Sequence, residues 1–348
     1  MGSLAPLPRE TKMTEKYVLG LDTSNYKTSV AIVSGGRIVA DLRRFLTVKE
    51  GERGLRQSEA LFQHVQNLPE LLSLLRQRYD GRIDAVAYST RPRAVDGSYM
   101  PCFTAGRSCA VSIGSALDVP TVGFSHQEGH VEAVLSAFAE RPEGEFAACH
   151  FSGGTCELLK ITQKEHKPGD FASFEALCGE RSFYEIEITG GTKDISYGQV
   201  LDRAGVAMGL PFPCGQALDN MALSAAYSTD MLTGIKVTDA AVHLSGFDTQ
   251  IRNRVSALHE SGEPVEPLIR EAFEKISESM IRMILQGIEK AETDRIYMSG
   301  GVSSSRFIRE TITERLREKG ICAYFAGGDL SSDNAIGTAL LGSRFLWD

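Results

Sequence analysis

The chain has 348 residues, more than a single hydrophobic core usually serves, so two domains are expected. Its composition is ordinary for a globular protein, and no run approaches the roughly 18 apolar residues of a membrane span. A net charge of −8 excludes nucleic-acid binding by overall charge alone, so contact with RNA would need a local basic patch or a partner subunit. Seven cysteines without paired spacing, and a polar N-terminus without a secretory signal, predict a cytoplasmic protein with reduced thiols.

The first third of the chain predicts a β-meander followed by alternating helices and strands. In chain order the predicted elements are the strands YVLGLDTS, KTSVAIVS and RIVADLRRF within 17–46, a helix at 55–79 interrupted by Pro69, the buried strand IDAVAYS at 83–89, a helix at 104–118, and the strand PTVGFS at 120–125, which leads into a helix with two histidines.

The pattern then begins again with a second meander. Its predicted strands are 146–154, 156–162 and 171–179, followed by helices at 197–210, 216–227, 246–261 and 265–291, a strand at 295–301, a helix at 304–319, a strand at 321–327 and a last helix at 334–347. The two meanders start about 130 residues apart, and each has small or polar residues after its first strand. This repetition predicts two related α/β domains that face each other across a cleft.

The segment SHQEGH, residues 125–130, places two histidines at helical i,i+4 spacing, so His126 and His130 share one face and could bind one metal ion. A zinc protease would carry its general-base glutamate directly after the first histidine, where this chain has Gln127. Asp333 in LSSDNAIG is the natural third ligand, and two histidines with one carboxylate leave open positions on iron or zinc. The alternatives are an ordinary exposed helix start for the histidines and a helix N-cap for Asp333.

Three further segments have the residue types that hold phosphates. LDTSNYKTS (21–29) places Asp22 and Ser24 at a hairpin tip, where they could hold a hydrated cation beside a phosphate, although a turn that caps a strand has the same composition. HFSGGTCEL (150–158) occupies the same place in the second meander and leaves room for a phosphate against the backbone. MSGGVSSSR (298–306) predicts a strand, a Gly-Gly turn and a helix N-terminus, whose serines could equally be N-caps.

A nucleoside site is indicated by SYGQVLDRAGVAMGLPFPCGQALDNMA, residues 196–222. Asp202 lies on a helix that ends in a Gly/Pro-rich turn, where its carboxylate could bind ribose hydroxyls, and Gly215 opens the next helix with space for a ligand ring. A surface salt bridge of Asp202 with Arg203 or Arg181 is the alternative.

These motifs, in this order, resemble those of the TsaD family, the tRNA adenosine threonylcarbamoyltransferases once called glycoproteases, from Tyr17 to about Phe345. HQEGH is similar to H-x-E-G-H, SDNA to T-D-N-(G/A), FSGGT to V-S-G-G-H-T, SGGVSSSR to A-G-G-V-(S/A)-x-N-R, and GQVLDRAGVAMGLPFPCG to G-E-A-(F/L)-D-K-x-A-(K/R)-x-L-G-L-x-Y-P-G-G.

The resemblance implies the actin, sugar-kinase and chaperone-ATPase fold of duplicated ribonuclease-H-like domains. With the C-terminal helix returning to the first domain, we expect the domains to be 17–125 with 333–348, and 126–332. It also implies one divalent transition metal, iron or zinc, and ATP, ADP or an acyl-adenylate, together with Mg²⁺. The implied residues are His126, His130 and Asp333 for the metal, and Ser152, Gly153, Gly154, Asp202, Gly215, Gly300, Gly301 and Ser305 for the nucleotide.

Departures from the family pattern surround the site of the transferred acyl group. The family's E-T-S-C-D-E-T is Asp22-Thr23-Ser24-Asn25-Tyr26-Lys27-Thr28 here, so Tyr26 and Lys27 replace two acids. A-G-P-G-L is Thr90-Arg91-Pro92-Arg93-Ala94, the histidine of G-G-H-T is missing before Thr155, and Ser305 replaces an asparagine. Replacing an acid by Lys27 creates a site that attracts phosphate. Asp22, Ser24 and Lys27 are therefore the candidate catalytic residues.

Two functions from different classes follow. The first is a metal-dependent, ATP- or adenylate-binding carbamoyl-type acyltransferase; the second is a nucleotide-binding scaffold or regulator that has lost its chemistry. A metallopeptidase is disfavoured. The expected partners are an adenine nucleotide, a tRNA or other acyl acceptor bound through a partner subunit, and a second copy or a related subunit in a dimer; no membrane is expected.

Overall fold

The computed structural model describes residues 15–24, 26–48, 55–165, 180–291 and 293–347. Its first half builds a five-stranded sheet in the order β3-β2-β1-β4-β5. The elements are β1 (Tyr17–Thr23), β2 (Lys27–Ser34), β3 (Arg37–Phe45), α1 (Gln57–Arg78), β4 (Ala85–Arg91), α2 (Phe103–Leu117), β5 (Thr121–Ser125) and α3 (His126–Leu135). Strands β1 to β3 are antiparallel neighbours, whereas β4 and β5 run parallel to β1.

The second half builds a seven-stranded sheet in the order β12-β11-β6-β7-β8-β10-β9. Its elements are β6 (Glu145–Phe151), β7 (Cys156–Gln163), β8 (Tyr184–Thr192), α4 (Tyr197–Ala207), α5 (Gly215–Ser224), β9 (Val237–Thr238), β10 (Ala241–Val242), α6 (Ser245–Ser261), α7 (Glu266–Ile288), β11 (Arg295–Ser299), α8 (Arg306–Arg317), β12 (Cys322–Phe325), α9 (Gly328–Ser331) and α10 (Ile336–Trp347), with short 3₁₀ turns at Glu289–Ala291 and Val302–Ser304.

The two sheets repeat one topology. In each, an antiparallel meander is followed by two parallel strands, so the order β8-β7-β6-β11-β12 repeats β3-β2-β1-β4-β5, and β10 and β9 extend the second sheet. The predicted duplicated α/β fold is confirmed. The β1–β2 and β6–β7 turns, which contain the first two phosphate-type motifs, are equivalent positions of this repeat.

Two elements differ from the sequence prediction. Helix α1 runs through Pro69 without interruption, because the exposed proline lies between Leu68 and Leu71, which are buried in the core. Strand β8 was not predicted; its first half alternates buried Tyr184 and part-buried Ile186 with exposed Glu185 and Glu187, a pattern of one-sided strands. The strand predicted at 171–179 lies outside the described residues.

The register of β1 decides what lies on each face of the first sheet. Leu19 and Leu21 pack into the cluster under α1 and α2, and the alternate residues face α10. Gly20 permits this contact, because a Cβ there would lie 2.4 Å from the carbonyl oxygen of Ala335. The next residue on that face is Asp22, so the β1 carboxylate points toward the same side of the sheet as α10.

The helices α3 and α10 cross at two glycines. A Cβ on Gly337 would lie 1.8 Å from the carbonyl oxygen of Gly129, so no larger residue fits without moving one helix. This close crossing places the segment before α10, which contains Asp333, beside the first turn of α3. The boundaries of the two domains stay a prediction. In the described ranges, no helix is long and apolar enough to cross a membrane.

Candidate metal and nucleotide site

Three predicted ligands converge where α3 begins and α10 approaches it. The Nε2 atoms of His126 and His130 lie 2.9 Å apart, and Asp333 Oδ1 lies 3.7 Å from the first and 3.3 Å from the second. These atoms all lie within 4.8 Å of one another. The i,i+4 spacing therefore brings both rings to one point, and the fold supplies the carboxylate from 203 residues further along the chain (333 − 130).

The arrangement has the dimensions of a metal centre. Ligand atoms about 2.1 Å from a tetrahedral ion are about 3.4 Å apart, which matches both histidine–aspartate distances. The two imidazole nitrogens are about 0.5 Å closer to each other than this ligand–ligand distance. At 2.9 Å they can share a proton, and a slight rotation of the rings would make room for a cation. Two imidazoles and one carboxylate fit iron or zinc and leave coordination positions open.

Asp22 contacts the ring nitrogen of His126 that faces away from the other two candidate ligands. Its Oδ2 lies 3.0 Å from His126 Nδ1, and the carboxylate also accepts hydrogen bonds from Ser89 Oγ at 2.6 Å and Ser24 Oγ at 3.3 Å. A carboxylate on the far nitrogen of a ligating histidine fixes its tautomer and ring orientation. The sequence placed Asp22 beside a cation; in the structure its closest ionisable partner is the histidine.

The charges of the centre are strongly coupled. Burial lowers the pKa of His126, but the carboxylates of Asp22 and Asp333 outweigh burial and raise it to about 10. Burial raises the pKa of Asp333, yet hydrogen bonds to the two histidines hold it well below its usual range. Burial and the charge of His126 lower the pKa of His130. A neutral His130 and an ionised Asp333 are the forms that bind a metal.

Neighbouring residues cap the two helices, which was the alternative role for this segment. Asn334, not Asp333, caps α10 through its Oδ1, which accepts a hydrogen bond from the Gly337 N–H at 3.1 Å. Glu128 forms a capping box with Ser125 and also accepts hydrogen bonds from the backbone N–H groups of Phe183 and Tyr184, where β8 begins. Glu128 is fully buried in these contacts, so it is not positioned as a peptidase base.

The first loop lies against the metal centre. Ser24 is buried, and its carbonyl oxygen lies 2.7 Å from Nε2 of His64, a buried histidine on α1 that the sequence analysis missed. The Nζ of Lys27 lies 4.6 Å from the centre of the Phe45 ring. Burial lowers the pKa of Lys27, while the negative charges of Asp333 and Asp22 oppose that shift. Asp22, Ser24 and Lys27 are thus brought together near Asp333.

The turn Ser152-Gly153-Gly154 joins β6 to β7 and is held by its own hydrogen bonds. Ser152 N donates to the carbonyl of Thr155 at 2.7 Å, and the Ser196 hydroxyl donates to the carbonyl of Gly153 at 2.7 Å. Neither glycine has a positive φ, and a Cβ on either would meet no atom within 4 Å. The protein itself therefore does not require glycine here, which is the pattern expected where a ligand approaches the backbone.

Of the remaining nucleotide candidates, some have open space beside them and others already contact protein atoms. Gly215 and Gly301 also have open space in the direction of a Cβ, whereas Gly300 has φ +92° and packs against Phe151. Asp202 Oδ1 accepts a hydrogen bond from Cys214 N at 2.9 Å, and burial raises the pKa of this carboxyl. Ser305 is the N-cap of α8, with its Oγ 2.5 Å from Asp219, so its hydroxyl has a structural role.

A polar chain that sequence reasoning missed lies beside the metal centre. Arg93 forms an ion pair with Glu157 on β7, and Glu157 Oε2 accepts a hydrogen bond from Gln127 Nε2 at 3.0 Å. His150 packs against His130 with ring centroids 4.3 Å apart. Burial holds the pKa of His150 well below its usual range, and its electrostatic interactions with His130, His126 and Arg93 act in the same direction.

The two sheets of one repeated topology, with the candidate metal cluster where they meet, have the arrangement of the actin-like fold. Solved structures support this fold. Full-length HypF in its phosphate- and nucleotide-bound form matches with a TM-score of 0.55 at 10% identity, covering 96% of this chain and 56% of that one. The (R)-2-hydroxyglutaryl-CoA dehydratase component A of Acidaminococcus fermentans matches with a TM-score of 0.52 at 12% identity, covering 93% and 96%.

The chain belongs to the TsaD family, whose model, described as tRNA N6-adenosine threonylcarbamoyltransferase, matches residues 48–340. Proteins of that name from Neorickettsia sennetsu and Aromatoleum aromaticum are 26% and 27% identical to it; the alignments cover 93% and 94% of this chain, and 92% and 90% of the relatives. A probable bifunctional tRNA threonylcarbamoyladenosine biosynthesis protein of Thermoplasma acidophilum is 24% identical, with 92% of this chain covering 54% of that protein.

Proposed function

We propose that the chain is a metal-dependent, nucleotide-binding acyltransferase that moves a carbamoyl-type acyl group from a phosphate or adenylate carrier to an acceptor. The observation that carries this proposal is the convergence of His126, His130 and Asp333, supported from behind by Asp22. A scaffold would have no use for a buried, charge-coupled cluster with open coordination positions, because such clusters are costly to bury and are typical of reactive sites.

The chain's own residues have distinct roles in this scheme. His126, His130 and Asp333 would hold the ion, and Asp22 would keep the Nδ1 proton of His126 in place so that Nε2 is the nitrogen that binds. A bound ion would polarise a phosphate or acyl carbonyl oxygen as a Lewis acid. No nucleophilic side chain is needed, since the acceptor supplies the attacking atom.

The nucleotide would lie between the two sheets. Its phosphates would lie near Ser152, Gly153 and Gly154, where the backbone N–H groups can approach an anion and no side chain obstructs it. Its nucleoside would lie toward Asp202 and Gly215, with the second oxygen of Asp202 available to ribose hydroxyls. The acceptor, a tRNA or another nucleophile, would bind through a partner subunit because the net charge is negative.

Nucleotide turnover tests this function against the scaffold alternative. Metal-loaded protein would be incubated separately with ATP and with threonylcarbamoyl-adenylate, and the released ADP or AMP measured by chromatography. We expect the wild type to turn over at least one of them, and Asp333→Ala to lose that activity while retaining nucleotide binding. Binding with equally low turnover in both proteins would favour the scaffold, for which the altered loop at Tyr26 and Lys27 is the supporting feature.

A further inference from the structure

Arg93 is held at a junction between the two sheets. It lies in the loop after β4, and its guanidinium pairs with Glu157, which is on β7 of the second sheet. The other carboxylate oxygen of Glu157 accepts the hydrogen bond of Gln127, the residue that follows the first metal-binding histidine. The arginine therefore contacts the neighbour of a metal ligand through one shared carboxylate.

The backbone around Arg93 is fixed to the same place. The Arg93 N–H donates to Ser98 Oγ at 3.0 Å, which closes the loop on itself. The carbonyl of Pro92 accepts a hydrogen bond from Gln127 N at 3.0 Å, which ties the loop to the first turn of α3. Both the main chain and the side chain of this arginine are thus oriented by the start of the metal-binding helix.

The guanidinium has unused hydrogen-bonding capacity. Of its five N–H donors, the ion pair uses Nη2, and within the described parts of the chain Nε and Nη1 have no hydrogen-bond partner. The Arg93 side chain is 42% exposed, whereas its partner Glu157 is only 9% exposed and is satisfied on both oxygens. The free edge of the arginine is therefore available to solvent or to a ligand, while the carboxylate that orients it is not.

The partner of Arg93 lies close to both parts of the candidate site. Glu157 comes two residues after Thr155, at the end of the Ser-Gly-Gly turn, and pairs in register with His150, whose ring packs on His130. Through Glu157, Arg93 is therefore held at the strand pair that contacts the metal cluster through His150 and ends in the phosphate-type turn. A planar, permanently charged fork suits carboxylate or phosphate oxygens, and a fork held by a buried acid has less freedom to lose on binding.

We propose that Arg93 is an anion-binding residue of the donor site, which Glu157 and Gln127 position to take an anionic oxygen group of the acyl donor. The inference rests on the proposed function and names a recognition element of that site. The group is either a phosphate of the nucleotide or a carboxylate on the acyl moiety; both have the oxygen geometry that the guanidinium recognises.

Calorimetry with three probes distinguishes these sources: ATP, adenosine and N-carbamoyl-L-threonine. We expect Arg93→Gln to weaken the binding of one of the two anions about tenfold or more and to leave the binding of adenosine unchanged. The affinity of Arg93→Lys should lie between those of Arg93→Gln and the wild type, because the charge remains but the planar fork is lost. A loss confined to ATP identifies the phosphate, and a loss confined to N-carbamoyl-L-threonine identifies the carboxylate.

The matched control is Arg91→Gln. Arg91 is the last residue of β4, two positions before Arg93, and its substitution removes the same charge, but it pairs at 2.7 Å with Glu180, which forms a β-bridge to Gly123 on β5. Unchanged binding of both anions by folded Arg93→Gln, or an equal loss in Arg91→Gln, overturns the inference. The proposed function fails separately: if the wild type turns over no nucleotide and yet needs Arg93 to bind ATP, the inference holds and the transferase proposal does not.

Discussion

At the scale of single residues, Asp22 contacts the candidate metal centre through His126 and is not one of its three candidate ligands. It is fully buried, and three hydrogen-bond partners, including His126, satisfy its oxygens. We expect His126→Ala to abolish stoichiometric metal binding, and Asp22→Asn to keep the ligands but lower metal affinity by about 10- to 100-fold. Elemental analysis and chelator competition measure the two effects. Asp118→Asn, at an exposed left-handed position, is the control; equal metal content in wild type and His126→Ala would refute the assignment.

The raised pKa of His126 predicts how metal affinity depends on pH. Because the two carboxylates raise that pKa from 6.5 to about 10, the metal-free site binds a proton at neutral pH that an ion must displace from Nε2. The apparent affinity should therefore rise with pH, by roughly tenfold per unit between about pH 7 and 9, and level off near the folded pKa. Titrations with zinc at several pH values measure this slope. A flat profile across that range would contradict the coupling.

At the scale of single elements, the turn between β6 and β7 should decide nucleotide binding. Gly154 has an ordinary φ and open space, so Gly154→Arg should fold normally, yet its side chain would fill the phosphate path. We expect loss of detectable ATP binding by calorimetry with little change in thermal stability. Gly234→Arg adds the same side chain at another glycine with open space and should bind ATP normally. Wild-type affinity in folded Gly154→Arg would exclude this turn from the phosphate site.

The α3–α10 crossing should decide whether the ligands meet. Gly337→Ala would place a methyl group 1.8 Å from the Gly129 carbonyl, so the helices must separate. Overpacking of this kind costs about 1–3 kcal/mol of unfolding free energy. Because the histidines are on α3 and Asp333 precedes α10, metal affinity should fall as well. Chemical denaturation and chelator competition test both effects, with Gly246→Ala as the control in open space; loss of stability without loss of metal affinity would show that the crossing does not set the site.

At the scale of the whole molecule, the features that the sequence predicts are those with a local pattern of residues. The repeated meander predicted the duplicated fold, and the i,i+4 histidines predicted two side chains that the structure brings together, because both signals lie within short windows. The pairing of Arg93 with Glu157, 64 residues away, has no local signal. His64 was missed for the same reason: a histidine in a helix gives no sign that it will bind the Ser24 carbonyl. Pairs that depend on the assembly of two sheets become visible only when the sheets are assembled.

The rewritten first loop predicts that this protein does not make threonylcarbamoyladenosine. Lys27 replaces an acid of the family pattern, so the local charge changes by two units close to Asp333, where a pair of charges at 4 Å interacts by about 4 kcal/mol at intermediate dielectric. Arg93, which stands at a glycine of the family's A-G-P-G-L segment, adds a second cation near the candidate metal centre. Both cations would strengthen ground-state attraction for an anionic donor, and attraction that does not increase in the transition state does not accelerate transfer.

Genetic replacement measures this outcome. The gene would be expressed in a cell whose own tRNA threonylcarbamoyltransferase is depleted, and the modified base would be quantified in its tRNA. We expect no restoration by the wild type, and partial restoration by the double variant Tyr26→Asp, Lys27→Glu, which returns both acids of the family pattern. Full restoration by the unaltered protein would show that the cleft tolerates both cations, and that the charge of the first loop does not select the acyl group.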